Sequence, residues 1–170
     1  DYAASLGALD PNPDVVIDYF LAGTVVTSPA VTIPSDYSVI HTRSKDSAEG
    51  ATTPTYMEAY AFVDGFGRTL ATLTEGEAQA AGGADAWIVS GRLEHDAKGA
   101  VRRKYIEEYW SEGNAEPLTF NVNSVPRGRY GSQRYDAFGR QVQTYDVDGT
   151  VTLQSVYHAL STDLYDAADL

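Results

Sequence analysis

The chain has 170 residues, 24 Asp and Glu against 12 Lys and Arg, a formal net charge of −12 at pH 7, and 43% hydrophobic residues. Such an acidic surface repels phosphate backbones and anionic bilayers, which excludes nucleic-acid binding and direct membrane insertion as expected roles. The absence of Cys excludes a disulfide framework, thiolate metal sites and Cys nucleophiles, and no apolar run approaches the ~20 residues of a transmembrane helix.

Residues 1–13 are small and turn-rich and read as an extended lead-in. The start, Asp1-Tyr2-Ala3-Ala4-Ser5, has neither an initiator Met nor a signal-peptide pattern, so a processed or excised chain is expected. Val15 to Leu21 is a β-rich run, Gly23 breaks it, and Thr24 to Thr27 resumes it. Val31-Thr32-Ile33 lies between Pro29 and Pro34, and Tyr37 to Thr42 alternates as a strand does. Arg43 to Pro54 is polar and reads as an exposed loop. Tyr56 to Val63 and Arg68 to Thr74 predict the arms of a hairpin, followed by a Gly/Ala-rich loop from Glu75 to Ala86. Strands are expected at Trp87 to Ser90, Arg92 to His95, Val101 to Trp110, Leu118 to Val122 and Val151 to His158. The Val101 to Trp110 stretch also fits one helical face through Tyr105, Ile106, Tyr109 and Trp110, but its hairpin context favours a strand. Ser111 to Pro117 reads as a loop and Pro126 to Gly131 as a connection.

Between these runs one turn recurs. Asp64-Gly65-Phe66-Gly67, Asp96-Ala97-Lys98-Gly99, Asp136-Ala137-Phe138-Gly139 and Asp146-Val147-Asp148-Gly149 all place Asp first and Gly fourth. Asp at the first position bonds backbone N–H groups further along, and Gly at the fourth adopts a positive φ. Gln141 to Tyr145 alternates between the last two turns as a half-buried strand. Tyr165-Asp166-Ala167-Ala168-Asp169 repeats the start of Tyr135 to Gly139 with Asp169 in the Gly position, a residue that tolerates the left-handed region. Recurrence of this kind points to a loose repeat array, in which each unit buries its face against its neighbours. The predicted fold class is mainly β: antiparallel hairpins in a curved, extended sheet.

The Tyr-Asp pairs at Tyr135-Asp136, Tyr145-Asp146 and Tyr165-Asp166 sit in words, R-Y-D-A-F-G-R and Y-D-V-D-G-T, that resemble the YD repeats of the RHS family. The words V-D-G-F-G-R (63–68), W-I-V-S-G-R (87–92), Lys98-Gly99 and Y-I-E-E-Y-W (105–110) are similar to the segment before those repeats in the B component of Tc-type insecticidal toxin complexes. The resemblance covers residues 56–170, with 1–55 a weakly matching lead-in. It implies a section of a hollow β-shell that encapsulates a toxic polypeptide in a secreted bacterial toxin. The partners it implies are the rest of that shell, the enclosed cargo and, for Tc toxins, a pore-forming A component. The propeller, the self-cleavage motif and the toxic domain of the family have no match here, so no cleavage or docking residue is transferred.

No catalytic, cofactor or metal site is expected. The Asp-Gly turns could hold calcium, but only Asp146 and Asp148 are closely spaced acids, and turn formation accounts for them. His41, His95 and His158 lack zinc or triad spacing and read as partly exposed sheet residues. Glu107 and Glu108 would point to opposite faces of a strand. Arg68, Arg92, Arg129, Arg134 and Arg140 are expected to cross strands to acids, and Phe66 and Phe138 to cover their turn glycines. The alternatives are an extracellular β-module binding carbohydrate or a partner protein, which would protect both sheet edges, and an enzyme with converging carboxylates.

Overall fold

The computed structural model describes residues 13–47, 55–76, 86–112, 116–124 and 128–170. The alternating runs form strands: β1 (Val15–Phe20), β2 (Val25–Thr27), β3 (Ala30–Thr32), β4 (Tyr37–Lys45), β5 (Tyr56–Asp64), β6 (Thr69–Gly76), β7 (Ala86–Ser90), β8 (Leu93–His95), β9 (Val101–Tyr105), β10 (Glu108–Glu112), β11 (Tyr130–Tyr135), β12 (Gln141–Tyr145), β13 (Val151–Tyr157) and β14 (Thr162–Asp166). The first sheet has the order β1-β4-β5-β6-β7-β10 and the second β14-β13-β12-β11-β9-β8; β2 and β3 form a separate hairpin. Every pairing is antiparallel, and neither sheet closes on itself. The mainly β, hairpin-built fold read from the sequence is therefore present. The β4–β5 pairing, nine residues long, runs Tyr37–Lys45 against Tyr56–Asp64, so the lead-in strands β1 and β4 share a sheet with β5, β6, β7 and β10.

One face of the first sheet holds the core. Val39, Phe62, Ala71 and Leu73 are wholly buried there, beside Tyr37, Tyr60 and Val89. Their cover comes from Ile33 and from Leu118, Phe120 and Val122. Phe120 sits between two aromatic neighbours, Phe62 at 5.1 Å and Trp110 at 5.3 Å, both edge-to-face. Arg92, 7% exposed, ties this cover down: its guanidinium donates to the Val122 carbonyl at 2.8 Å and to the Ser124 carbonyl, and it lies over the Phe120 ring.

The second sheet has no such cover. Among the described residues of β8, β9 and β11–β14 only Ser155 is buried. Polar side chains brace its strands instead. Tyr135 donates to Gln133 at 2.5 Å and Tyr145 to Gln143 at 2.7 Å; Tyr157 donates to the Gln141 carbonyl at 3.0 Å. Arg134 stacks over Tyr145 and Arg140 over Tyr157.

Several local expectations are corrected. Leu118 to Val122 is not a strand: Pro117–Thr119 is a 3-10 turn capped by Glu116, and Asn121 Oδ1 accepts the Asn123 N–H to bend the chain again. Its alternating apolar residues are buried, which produced the strand-like pattern. Val101 to Trp110 is two strands in different sheets, split where Ile106 N–H donates to the Arg129 carbonyl. Arg43 to Lys45 belongs to β4, where Arg43 meets Asp18 at 2.9 Å; Asp46 and Ser47 follow outside the strand, and 48–54 of that expected loop lies outside the described residues. Glu75 and Gly76 extend β6, Ala86 opens β7, Ser111 and Glu112 extend β10, and Tyr130 and Gly131 of the last connection open β11; 77–85 and 113–115 are again outside the described residues, as are 1–12 of the lead-in and 126–127 of that connection.

The core makes the first sheet sensitive to truncation. Phe62→Ala is expected to cost about 3–5 kcal/mol, read as a lower urea midpoint with an unchanged slope.

Candidate functional site

The recurring turn is held by its first side chain. Asp64 Oδ1 accepts the N–H groups of Phe66 and Arg68 at 2.9 Å each, while Oδ2 accepts Arg68 Nε and Nη2 at 2.7 Å. Asp136 repeats this set with Phe138 and Arg140 at the same distances. Asp96 caps Lys98 and Ala100 N–H, and Asp146 caps that of Asp148. In each turn the Gly N–H returns to the Asp carbonyl, and Gly67, Gly99, Gly139 and Gly149 have φ between 79° and 83°. Nothing lies within 4 Å of where a Cβ on Gly139 would sit, so backbone conformation alone selects glycine there. A register shift accompanies each turn, at Phe62/Val63, Glu94/His95, Arg134/Tyr135 and Thr144/Tyr145. This is a type I turn with a glycine bulge, which adds twist. The fifth bend, Asp166 to Asp169, keeps the cap, with Asp166 Oδ1 accepting the Ala168 N–H at 2.7 Å and the Asp169 N–H returning to the Asp166 carbonyl at 3.1 Å, but Asp169 does not take the positive φ of the glycines and its Oδ2 accepts the Asp166 N–H at 3.2 Å. Tyr165, its YD partner, is exposed.

The arginines act inside turns and covers more than across strands. Arg68 and Arg140 bind the Asp of their own turn, Arg92 binds carbonyls, and Arg134 stacks on a ring; Arg129 does reach an acid, Asp148, at 3.0 Å. Phe66 and Phe138 do not cover their glycines. They stand 88% and 85% exposed, each beneath the arginine two residues on, at 5.3 Å. His41 is buried rather than partly exposed, whereas His158 is exposed and pairs with Asp163. His41 Nε2 meets Glu58 at 2.9 Å and its ring stacks on Tyr60 at 4.1 Å. Burial, then the Glu58 carboxylate, push the Tyr60 hydroxyl far above the usual tyrosine range. Glu107 lies between β9 and β10, outside any strand. Among the described residues no group of three or more His, Asp or Glu converges as a metal site would require.

The two faces of the first sheet differ in charge. One row of paired residues runs Ile17, Thr42, Ala59, Thr74, Ile88, Tyr109 across all six strands. Two residues along each strand, Tyr19, Ile40, Ala61, Thr72 and Ser90 form the next row on the same face. None of these residues carries a charge, and Ile17, Tyr19 and Tyr109 are about half exposed or more, at 48%, 66% and 47%. The row between them, on the opposite face, contains Asp18, His41 and Glu108. The bare face borders, at Ser90 and Gly91, an open groove of about 630 Å3 lined further by Lys104, Ile106, Gln133 and Thr144. Sequence alternation was visible strand by strand; the uncharged rows and the Arg92 staple needed the register and the long-range fold.

An open antiparallel sheet built of aspartate-capped hairpins, with its buried core on one face, defines a class of β-ribbon. Solved structures share it. The chain matches the crystal structure of TcdB2–TccC3 with a TM-score of 0.63 and 20% identity, over 99% of this chain and 8% of that one. It matches a Photorhabdus luminescens Tc holotoxin pore carrying a TccC3 mutation with a TM-score of 0.62 and 21% identity, over 78% of this chain and 7% of that one. The TcdB2–TccC3–Cdc42 structure gives 0.58 and 20%, over 81% and 7%. The fold is thus one found in Tc toxin components, as the Y-D and D-x-x-G words led one to expect, and the chain spans under a tenth of their length. No family model matches the chain, and no curated protein does.

The capping geometry has a pH signature. The backbone N–H of Arg68, opposed by burial and aided by the Arg68 guanidinium and the Phe66 N–H, holds the Asp64 carboxyl below the usual range; Arg140 and Phe138 do the same for Asp136. A carboxylate depressed in the folded state contributes stability present above the unfolded value of about 3.9 and lost as pH falls through the folded one. Asp136→Asn is therefore expected to lower the thermal midpoint at neutral pH and to show a shallower decline than the parent below about pH 4, measured by circular dichroism melts.

Proposed function

We propose that the chain is a section of wall in an RHS/Tc-type toxin, a β-shell that encapsulates and shields a toxic polypeptide until release. The observation that carries this reading is the open, mostly single-layered second sheet in a chain whose fold is shared with TcdB2–TccC3. The work is topological: a wall excludes proteases and keeps cargo from acting early, and no residue of this chain performs chemistry. The implied partners are the remaining wall, the enclosed polypeptide and a pore-forming A component, in a secreted bacterial assembly.

Limited proteolysis of the assembled parent toxin tests this. The enclosed polypeptide is expected to survive while the wall is intact and to be digested when the Phe62→Ala substitution loosens the first sheet. Equal digestion of the cargo in both proteins would refute the reading.

A further inference from the structure

We infer that the joint between the two sheets binds a small oxyanion, a carboxylate or a phosphate, through Arg92 with Arg103 and His95 beside it. The inference goes beyond the wall reading and does not rest on it. Its basis is a buried charge without a counter-charge. Arg43, Arg68, Arg103, Arg129 and Arg140 each meet a carboxylate at 2.7–3.0 Å. Arg134 meets none among the described residues, but it is exposed to water. Arg92 meets none either, and it is buried, at 7% exposed. The carbonyls of Val122 and Ser124 both accept from its Nη2, and they carry no charge. Its Nε and Nη1 donate to no described residue. Neither is sealed, because the buried side-chain atoms left without a partner are Arg43 Nε and Ser47 Oγ. A guanidinium taken out of water calls for an opposite charge close by. Burial is the leading influence on Arg92 and lowers its pKa from the usual arginine value, against the opposing pull of Glu108 and Tyr105.

Position and charge select the ligand. Arg92 lies in the link from β7 of the first sheet to β8 of the second, and it lines two cavities. The smaller, of about 250 Å3, also contains Glu108, whose carboxylate repels an anion. The larger, of about 420 Å3, brings Arg92, Arg103 and His95 together, with Glu94 as the one carboxylate among its lining residues. Glu94 is already engaged: Arg103 meets it at 2.9 Å, Arg102 at 3.6 Å, and the Tyr105 hydroxyl donates to it at 3.2 Å. Cationic groups therefore outnumber carboxylates in this cavity, although the chain as a whole carries −12. Oxyanions accept from guanidinium donors in short, charge-assisted hydrogen bonds, about twice as strong as neutral ones. A ligand held by Arg92 and Arg103 ties the Val122–Ser124 cover of the first sheet to β9 of the second, so binding braces the joint.

NMR of the arginine side chains tests this, with inorganic phosphate and succinate as probes and chloride as the ionic-strength control. The Arg92 Nε–H signal is expected to shift saturably with one or both probes, and the thermal midpoint to rise by about 2–4 °C at saturation. A response to phosphate alone, or to succinate alone, upholds the site and names its ligand. Ser124 is exposed and lines the same cavity, so Ser124→Asp supplies a carboxylate from within the chain. That variant is expected to melt higher without added ion and to lose most of the phosphate-induced shift. Shifts that never saturate, or that chloride reproduces at equal ionic strength, would overturn the inference. A folded Ser124→Asp variant that responds to phosphate as the parent does would overturn it too.

Discussion

One carboxylate in each bend sets the rest of the architecture. Asp64 and Asp136 each accept two backbone N–H groups through one oxygen and a guanidinium through the other. Those contacts fix where a strand ends, and the glycine three residues on, in the left-handed region, fixes how far the return strand is offset. The bulge that results appears as a register shift beside each bend, so twist is added at each of the four hairpins. The bends also lie beside one another: Lys98 Nζ donates to the Ala137 carbonyl at 2.8 Å, joining the second turn to the third.

The two sheets solve burial in different ways. The first has a core on one face, closed by a segment that is not itself a strand and is held by a buried arginine. Such an arginine is costly unless its donors are used, and the Val122 and Ser124 carbonyls use them. The second sheet substitutes a lattice of Tyr, Gln and Arg for a core. Amphipathic side chains of this kind stabilise a sheet that is wet on both faces, because each offers an apolar body and a polar end. Six of the twelve Tyr of the chain, Tyr105, Tyr130, Tyr135, Tyr145, Tyr157 and Tyr165, lie in this sheet.

The bends were legible because Asp and Gly answer to local backbone geometry within four residues. The strand runs at Tyr56 to Val63 and Val151 to Tyr157 were legible because period-2 alternation is also local. Leu118 to Val122 misled for the same reason: apolar residues at alternate positions are buried whether the backbone joins a sheet or lies across one. The split of Val101 to Trp110 between two sheets and the burial of His41 and Arg92 depend on partners 17 to 32 residues away. Phe66 and Phe138 followed their arginines out of the turn because Arg68 and Arg140 are already fixed by Asp and offer a cationic face.

An open sheet leaves an observable trace in its backbone. From Thr162 to Tyr165 only the β14 N–H groups directed at β13 have ladder partners, while Asp166 N–H bonds Asp169 Oδ2, and among the described residues no strand lies on the other side of β14. Amide hydrogen exchange of the isolated chain, resolved by residue, reads this directly. The account predicts slow exchange in β4, β5 and β6 beneath the Phe120 cover, and an alternation of slow and fast amides along Thr162 to Tyr165. Uniform protection of both sets of β14 amides would show a second partner or a closed barrel, and would contradict it.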